Sequence, residues 1–500
     1  MIIMIMKNLK TYYFLVLSCC LLFSFANGQS KQKINNPKNK GLVDSTYDIE
    51  FTIKPYQNEK FYLLCYYGKT NAIIDSCVVN SQSVGHFKGN KKLVGGIYPI
   101  VNKKFNLLLD IIIGDEQHFS VKMDTTSKKN PVITGSTEND LFKEYNLQRS
   151  ELEKPIVELS KKLKDVTTEA DSASITKEMK AKARLFTKYR DEFIQQHQTS
   201  LVATLLLTDK TPDVPEIPVD PVTKKADSAY PFHYVKEHYW DDVNFADNRL
   251  LRTPFFEKKI DNYLKYYISP EADSIIPEVK YMLLSARESK EMYPYLLIKF
   301  TNKYISPEYM GQEKVFVTLF LECYLKGDTV YLDSKSRKTI IDRGFHLLWS
   351  GLNSPAQPLN LTDTSGKIVS LYDVKAKFTF IAYWSPTCGH CKQEIPVLDS
   401  IYKAKWKDLG IKVYSIISDY NQIADFKSFV KEKDLPKDWL YVYETKEAKE
   451  AVAKSGEVPF TQAYDFIQTP VFYLLDVNKK IIGKNLNIHQ FDEMISRKLK

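Results

Sequence analysis

Cysteine is scarce in this chain, which carries seven in 500 residues, two of them within the first 20. The other five are too few, and odd in number, for a disulfide-stabilised scaffold. A single Cys-x-x-Cys pair is present without a second close pair of cysteine or histidine ligands, so a zinc site is disfavoured. Lys392 follows the pair where covalent haem attachment needs histidine. We therefore expect no metal and no cofactor.

Charge of one sign is not concentrated anywhere in the chain. The 70 Lys and Arg residues are mixed with 61 Asp and Glu residues, which gives a net charge of +9 without an arginine-rich stripe. Nucleic-acid binding needs clustered basic residues. We therefore expect no nucleic-acid partner.

Long hydrophobic runs are also missing, and the apolar stretch Tyr12 to Phe25 is short for a membrane-spanning helix. It follows two lysines and ends in small residues, which is the pattern of a signal peptide cleaved after Gly28. We therefore predict that residues 1–28 direct export to the periplasm or cell envelope. A retained transmembrane anchor is one alternative, and a lipid anchor at Cys19 is another, because the preceding residues loosely resemble a lipoprotein processing site.

The motif that is present is Cys388-Gly389-His390-Cys391. It follows the apolar run Phe378 to Trp384, typical of a buried strand, and opens the amphipathic segment Lys392 to Trp406. The unpaired amides and the dipole of a helix N-terminus stabilise a thiolate, so we expect a lowered pKa for Cys388. Cys391 lies one turn further along the helix, within reach of a disulfide. The pattern predicts a redox pair.

The stretch 380–398, FIAYWSPTCGHCKQEIPVL, resembles the active-site segment of the thioredoxin superfamily, specifically its TlpA/ResA-like bacterial envelope branch. Glu394 and Pro396 match the glutamate and helix-kinking proline of that branch. Thr469-Pro470 matches its Thr-Pro dipeptide, whose proline is cis and faces the disulfide. The resemblance covers residues 355–500. Two departures are Thr387, where many thioredoxins have Trp, and Gly389-His390, which is similar to the dipeptide of protein disulfide isomerases.

This resemblance implies a thiol-disulfide oxidoreductase. Cys388 would attack a partner's disulfide and Cys391 would resolve the mixed disulfide. Glu394 would accept a proton from the buried thiol or tune the pair, or else be an ordinary solvated helix residue. Cis-Pro470 would present the backbone of Thr469 to an extended substrate. The remaining expected site residues are Trp384 and Pro386, which would shape an apolar rim, and Gly389 and His390, which would tune the redox potential.

The direction of electron flow is open at this point. His390 favours the reduced form and a mid-range, isomerase-like couple, whereas the match at Glu394 implies an envelope reductase, which we favour. The expected partners are protein thiols and disulfides of the cell envelope, with an upstream membrane electron donor or a quinone-linked partner as a source of electrons. The alternatives are a disulfide isomerase or oxidant, and a binding or scaffold protein that docks through its thioredoxin domain. Peroxidase chemistry is less favoured, because its Pro-x-x-x-Thr-x-x-Cys context is missing.

The predicted fold class is multidomain, with an N-terminal antiparallel β domain, a central α-helical domain and a C-terminal α/β thioredoxin fold. The predicted segments are a signal peptide at 1–28, a disordered lead-in at 29–45, the β domain at 46–135, the α-helical domain at 136–352 and the thioredoxin-like domain at 353–500. The first two domains resemble a β domain and a helical domain of unknown function that accompany this type of thioredoxin unit.

Short β-type runs divided by turn signals predict the strands of the first domain. These are Tyr47–Ile53, Phe61–Tyr67, Ile73–Val79, Gly95–Val101, Leu107–Ile113 and His118–Met123. A disulfide between Cys65 and Cys77, on neighbouring predicted strands, is an open alternative to two buried thiols. Cys323, in a predicted apolar helix from Val315 to Leu325, is expected to be inert core.

Overall fold

The computed structural model describes residues 46–127, 130–219, 223 and 225–499. The predicted signal peptide, the lead-in and Cys19 lie outside these residues. From Tyr47 onward, the described residues form one compact unit. Among the residues that are described, no helix is both long and apolar enough to cross a bilayer. The predicted boundaries at 46–135, 136–352 and 353–500 stay a prediction.

The N-terminal part is a sandwich of two four-stranded sheets, ordered β4-β1-β7-β8 and β3-β2-β5-β6. Alternate side chains of its strands are buried, as in β1, and the inward-facing residues of both sheets form one apolar core. The strands are β1 (Tyr47–Lys54), β2 (Lys60–Tyr67), β3 (Thr70–Val78), β4 (Val84–Gly89), β5 (Gly96–Asn102), β6 (Leu107–Ile113), β7 (His118–Asp124) and β8 (Val132–Thr134).

Two features of this sandwich differ from the prediction. The pairing of β1 with β7 is parallel, so the domain is not purely antiparallel. Five strands separate β1 from β7 along the chain, so no tight hairpin forces the two to run antiparallel. The second feature is that the sequence pattern missed β4 and β8. Gly85 and Gly89 weaken the strand signal of β4, and β8 has only three residues.

The open question about Cys65 and Cys77 is answered by strand register. Cys65 pairs with Ala72, and Cys77 pairs with Phe61, so the two cysteines lie four residues apart along the β2–β3 ladder. This offset is about 13 Å, well beyond the reach of a disulfide. Both thiols are free. A bridge between them is therefore wrong for this fold.

The central part is helical and packs around one large apolar core. Its helices are α1 (Thr137–Asp165), α2 (Glu169–Gln196), α3 (Leu201–Asp209), α4 (Tyr230–His238), α5 (Phe256–Tyr266), α6 (Ala272–Ser285), α7 (Met292–Tyr304), α8 (Glu313–Glu322) and α9 (Ser334–Trp349). Helix α3 is apolar on nearly every face and shows no helical period, so a local sequence pattern does not identify it. Cys323 is half-buried just after α8 rather than inside a helix reaching Leu325.

The C-terminal part has a seven-stranded mixed sheet ordered β10-β9-β13-β12-β11-β14-β15. Its strands are β9 (Asn360–Asp363), β10 (Ile368–Ser370), β11 (Thr379–Trp384), β12 (Lys412–Ile417), β13 (Leu440–Tyr443), β14 (Val471–Leu475) and β15 (Ile481–Lys484). Its helices are α10 (Gly389–Ile401), α11 (Ile423–Glu432), α12 (Lys446–Ser455), α13 (Phe460–Ala463) and α14 (Ile488–Lys498).

Strand β11 lies inside this sheet, between β12 and β14, and carries the chain to the Cys-x-x-Cys motif. It runs parallel to β12 and antiparallel to β14, and all six of its residues are buried. Apolar clusters cover both faces of the sheet. The predicted α/β thioredoxin fold is confirmed, as is the three-part fold class.

Candidate active site

The motif occupies the turn between β11 and α10. Cys388 is the N-cap residue of α10, with extended backbone angles, and Gly389 begins the helix. The amide of Cys388 donates to the carbonyl of Ser385 at 3.3 Å, which closes the turn after the strand. The motif thus lies at the N-terminus of a helix that follows a buried strand, as the sequence pattern predicted.

The Cys388 thiol is half-buried and its pKa is lowered from 9.0 to about 7. The largest cause is a hydrogen bond with the side chain of Thr469, followed by the backbone amide of Cys391. The Cys391 thiol and the amide of His390 add to the effect, while burial opposes it. The low pKa predicted for a thiol at this helix N-terminus is confirmed, although the largest single cause is the Thr469 side chain and not a helix amide.

The Cys391 thiol has the opposite character. Its side chain is fully buried in the apolar cluster beneath α10, and burial raises its pKa from 9.0 to about 12. Cys391, Ile395 and Leu398 form the buried stripe of α10, which turns this thiol inward. The two free thiols of one motif therefore have pKa values of about 7 and about 12, because one faces donors and the other faces the core.

The Thr469–Pro470 segment closes the site from the other side. The peptide bond between these residues is cis, as predicted, and it leads directly into β14. In the thiol form, Sγ of Cys388 donates to the carbonyl oxygen of Thr469 at 3.3 Å. Thr469 thus contacts the redox sulfur from a position 81 residues further along the chain.

The predicted apolar rim of Trp384 and Pro386 is wrong. Trp384 is fully buried, and its indole Nε1 donates to Oγ of Ser415 at 2.8 Å on the neighbouring strand. Pro386 is buried as well. Trp384 ends an interior strand of a sheet that is covered on both faces, so its side chain packs into the core and cannot meet a partner.

The surface beside Cys388 is instead formed by the start of α10 and by the residues before the cis bond. Gly389 and His390 are exposed, and no atom lies within 4 Å of where a Cβ on Gly389 would be. Ile467, two residues before Thr469, is 66% exposed. The redox sulfur is therefore open to a partner across Gly389. Glu394 is half-buried in the second turn of α10, three residues after Cys391, and its role stays a prediction.

The motif also depends on residues that the sequence did not reveal. Oγ of Ser385 donates to Oε1 of Gln422 at 2.6 Å and accepts from the amide of Thr387 at 3.2 Å, which holds the turn before Cys388. A serine and a glutamine 37 residues apart carry no pattern that could have predicted this contact. Within the described part of the chain, no group of three or more His, Cys, Asp or Glu side chains is placed to hold a metal ion.

A mixed sheet covered on both faces, an acidic thiol above a buried one and a cis proline beside them together define a thioredoxin-like thiol-disulfide oxidoreductase. Comparisons with known proteins agree with this class. The AhpC/TSA family model matches residues 352–483, and a domain of unknown function, DUF5106, matches residues 161–339.

Among curated relatives, thiol-disulfide oxidoreductase ResA of Bacillus thuringiensis is 30% identical over 140 residues, which is 28% of this chain and 72% of that protein. ResA of Bacillus subtilis is 32% identical over 108 residues, or 22% of this chain and 54% of the relative. The chain belongs to the ResA family of thiol-disulfide oxidoreductases. The predicted resemblance to the TlpA/ResA-like branch is confirmed.

Solved structures similar to this chain include a thioredoxin-like protein from Bacteroides caccae, with 20% identity and a TM-score of 0.42 over 57% of this chain and 97% of that one. A domain of a possible thiol-disulfide isomerase from Cytophaga hutchinsonii is 32% identical, with a TM-score of 0.25 over 29% of this chain and 91% of that one.

Proposed function

We propose that this protein is an extracytoplasmic reductase that transfers electrons from the Cys388–Cys391 dithiol to disulfides of envelope proteins. The observation that supports this proposal most directly is the difference in exposure and pKa between the two thiols. Cys388 is accessible and has a pKa of about 7, so a large fraction of it is thiolate at neutral pH. Cys391 is buried and protonated until a bond with Cys388 is made.

The first step is attack by the Cys388 thiolate on one sulfur of a partner disulfide. A Cys388–partner disulfide forms, the partner's S–S bond breaks, and the second partner sulfur leaves as a thiolate that takes a proton from solvent. A thiol with a pKa near the working pH combines a high thiolate fraction with adequate nucleophilicity. Cys388 fits this condition.

The second step is attack by Cys391 on Sγ of Cys388. Cys391 loses its proton, the Cys388–Cys391 bond forms as the Cys388–partner bond breaks, and the released partner sulfur takes up a proton, so the partner leaves as a dithiol. Two electrons have passed from this protein to its partner. A thiol-bearing envelope partner would return the pair to the dithiol, supplied in turn by an upstream membrane electron donor or a quinone-linked partner.

The partner would bind as an extended segment along Thr469. The carbonyl of Thr469 is within 3.3 Å of the redox sulfur, and cis-Pro470 lacks an amide hydrogen, so the Thr469 backbone is left to pair with a partner strand. The open space above Gly389 would let the partner's disulfide approach Cys388. Because these contacts are to backbone, they suit many protein partners.

The direction of electron flow depends on how strongly the site stabilises the Cys388 thiolate, which sets the reduction potential of the pair. His390, exposed beside Cys388, favours the reduced form and a potential nearer the isomerase value of about −180 mV than the thioredoxin value of about −270 mV. Glu394 supports proton removal from Cys391 and therefore the resolving step of a reductase. A measured potential near the DsbA value of about −120 mV would instead favour an oxidant.

Export through a signal peptide at residues 1–28 is part of this proposal. The pattern of two lysines, an apolar run and small residues supports it, and a lipid anchor at Cys19 stays an alternative. Fractionation of cells that express the full chain tests both, because cleavage after Gly28 and lipidation at Cys19 give mature proteins of different N-terminus and mass.

Trapping of mixed disulfides tests the proposed reaction. Cys391→Ser should capture envelope proteins through Cys388, since the resolving thiol is gone, and reducing agent should release them. The matched control, Cys388→Ser, should capture none. Equal capture by both variants, or unchanged cellular function of Cys388→Ser, would contradict the reductase and favour a scaffold that docks through this domain.

A further inference from the structure

Helix α9 of the helical part reaches the thioredoxin-like part close to the redox site. Arg343 forms an ion pair with the carboxylate of Asp465, and Nδ1 of His346, one turn along the same helix, lies 3.6 Å from Oδ1 of Asp465. The Asp465 side chain is only 11% exposed. A nearly buried carboxylate of the thioredoxin-like part therefore depends on the Arg343 guanidinium of α9 for the compensation of its charge.

Asp465 begins the Asp465–Pro470 segment, which carries the site's Thr469. Its backbone has a φ of 56°, a left-handed conformation that costs energy for most residues other than glycine and is best tolerated by Asn and Asp. The chain reverses direction here, between the end of α13 and the cis bond. A side-chain anchor at this residue thus fixes where the segment starts.

Two further contacts hold the Asp465–Pro470 segment between Asp465 and Sγ of Cys388. The Phe466 ring stacks on the ring of Tyr383 in β11, with centroids 4.2 Å apart and planes within 3°. At the far end of the segment, the carbonyl of Thr469 accepts from Sγ of Cys388. The segment is therefore held at three points, and the first of them lies on the helical part.

This first anchor lies outside both matched families. DUF5106 matches residues 161–339 and the AhpC/TSA family matches residues 352–483, so Arg343 and His346 fall in the stretch between them. A thioredoxin-like domain alone has no α9. Any effect of Arg343 on the redox site therefore comes from the stretch that joins the two matched families in this chain.

We propose that Arg343, supported by His346, is a positioning residue for the redox thiol. It acts through Asp465 to hold the Asp465–Pro470 segment where Thr469 meets Cys388, so that the helical part sets the reactivity of the thioredoxin-like site. The inference rests on thiol-disulfide exchange at Cys388, which is the proposed function.

The physical reasoning is electrostatic and geometric. Without Arg343, the Asp465 carboxylate would be left nearly buried without its closest cation, and it would turn toward solvent and carry the segment with it. Hydrogen bonds weaken steeply with distance and angle, so a small displacement of the segment weakens the hydrogen bond through which the Thr469 side chain lowers the pKa of Cys388. The thiol would then become less acidic while the fold around β11 stays intact.

Asp465→Asn is the sharpest variant, because Asn keeps the size of Asp and its tolerance of the left-handed conformation while it removes the charge. Arg343→Met removes the cation, and Arg343→Lys keeps the charge and should restore part of the effect. Arg337→Met is the matched control, since Arg337 lies on the same helix and its guanidinium donates to the carbonyl of Thr329, within the helical part.

The measurement is the rate of alkylation of the reduced full chain against pH, together with its reduction of a small disulfide. For Asp465→Asn and Arg343→Met, we expect the Cys388 midpoint to move upward from about 7 and both rates at pH 6 to fall about three- to tenfold. The two rates of Arg343→Lys should fall less, and the midpoint and rates of Arg337→Met should match those of the wild type.

An unchanged midpoint in both charge-removing variants would overturn the positioning role, even if their melting temperature drops. If Arg343→Met fails to fold, Asp465→Asn decides the matter alone. A wild-type chain that shows no acidic thiol at all would contradict the proposed function instead, so the two failures are distinguishable.

Discussion

At the scale of single residues, the two thiols of one motif are separated by what their sulfur atoms face. Cys388 faces the Thr469 side chain and the first amides of α10, and each of these stabilises the thiolate. Cys391 faces the apolar cluster under the helix, where desolvation disfavours the charge. The asymmetry that the reaction needs is therefore present before any partner binds.

The pH dependence of Cys388 reactivity follows from this asymmetry. A thiolate forms as pH rises through the pKa, so alkylation of the reduced protein should increase with a midpoint at pH about 7 rather than 9. Cys391 should stay unreactive up to much higher pH. Stopped-flow alkylation with iodoacetamide measures the profile, and Cys388→Ser should abolish the early phase.

Thr469→Val removes the hydroxyl without a change in shape, and it should move the alkylation midpoint toward pH 9, because the Thr469 side chain is the largest cause of the low pKa of Cys388. A rise of the midpoint by about one pH unit lowers the thiolate fraction, and hence the alkylation rate, about tenfold at a pH well below the midpoint. A midpoint that stays near 7 would show that the α10 amides alone determine the thiolate.

At the scale of elements, local sequence predicted type and position well where a period or a cap was present. The alternation in β1 and the amphipathic pattern of α10 were predicted correctly, whereas the uniformly apolar α3 shows no period. The parallel pairing of β1 with β7 could not be predicted either, because strand neighbours are chosen by sheet packing.

The start of α14 provides a test at this scale. Asn487 accepts from the amide of Gln490 at 2.9 Å, and the Gln490 side chain accepts from the amide of Asn487 at 3.0 Å, which is a capping box. Asn487→Ala should therefore lower the free energy of unfolding by about 1 kcal/mol. Urea denaturation measures this change. Arg497→Ala, at the exposed end of the same helix, should change it by less than about 0.5 kcal/mol.

At the scale of the whole molecule, the helical part covers the edge strand β15 of the thioredoxin-like sheet. Nζ of Lys484 in β15 forms an ion pair with Glu313 of α8 at 2.7 Å, with side chains 1% and 4% exposed. The same Nζ donates to the carbonyl of Ser350 at 2.6 Å. The backbone edge of β15 is paired as well, because Ile481 accepts from the amide of Asn353 and donates to the carbonyl of Ser354, so the buried charge pair lies at a covered edge.

Breaking this pair should be costly. Lys484→Met leaves the Glu313 carboxylate buried without its cation, so we expect a loss of about 3–5 kcal/mol in the free energy of unfolding. A second change, Glu313→Leu, should recover most of it, because the orphaned charge is removed. Lys280→Met, in an exposed pair with Glu322, is the control and should cost no more than about 1 kcal/mol. Equal losses for Lys484 and Lys280 would contradict a buried junction.

The chemistry and its local frame could be predicted from short stretches of the sequence. Strand, turn and helix around Cys388, the thiol one turn further on, and the Thr-Pro dipeptide were all readable, because caps, periods and motif spacing act over a few residues. The surroundings of individual side chains depend on the tertiary fold. There Trp384 is buried, strand register separates Cys65 from Cys77, and Arg343 contacts Asp465 across 122 residues. What surrounds a side chain depends on segments far along the chain, and no local pattern encodes those neighbours.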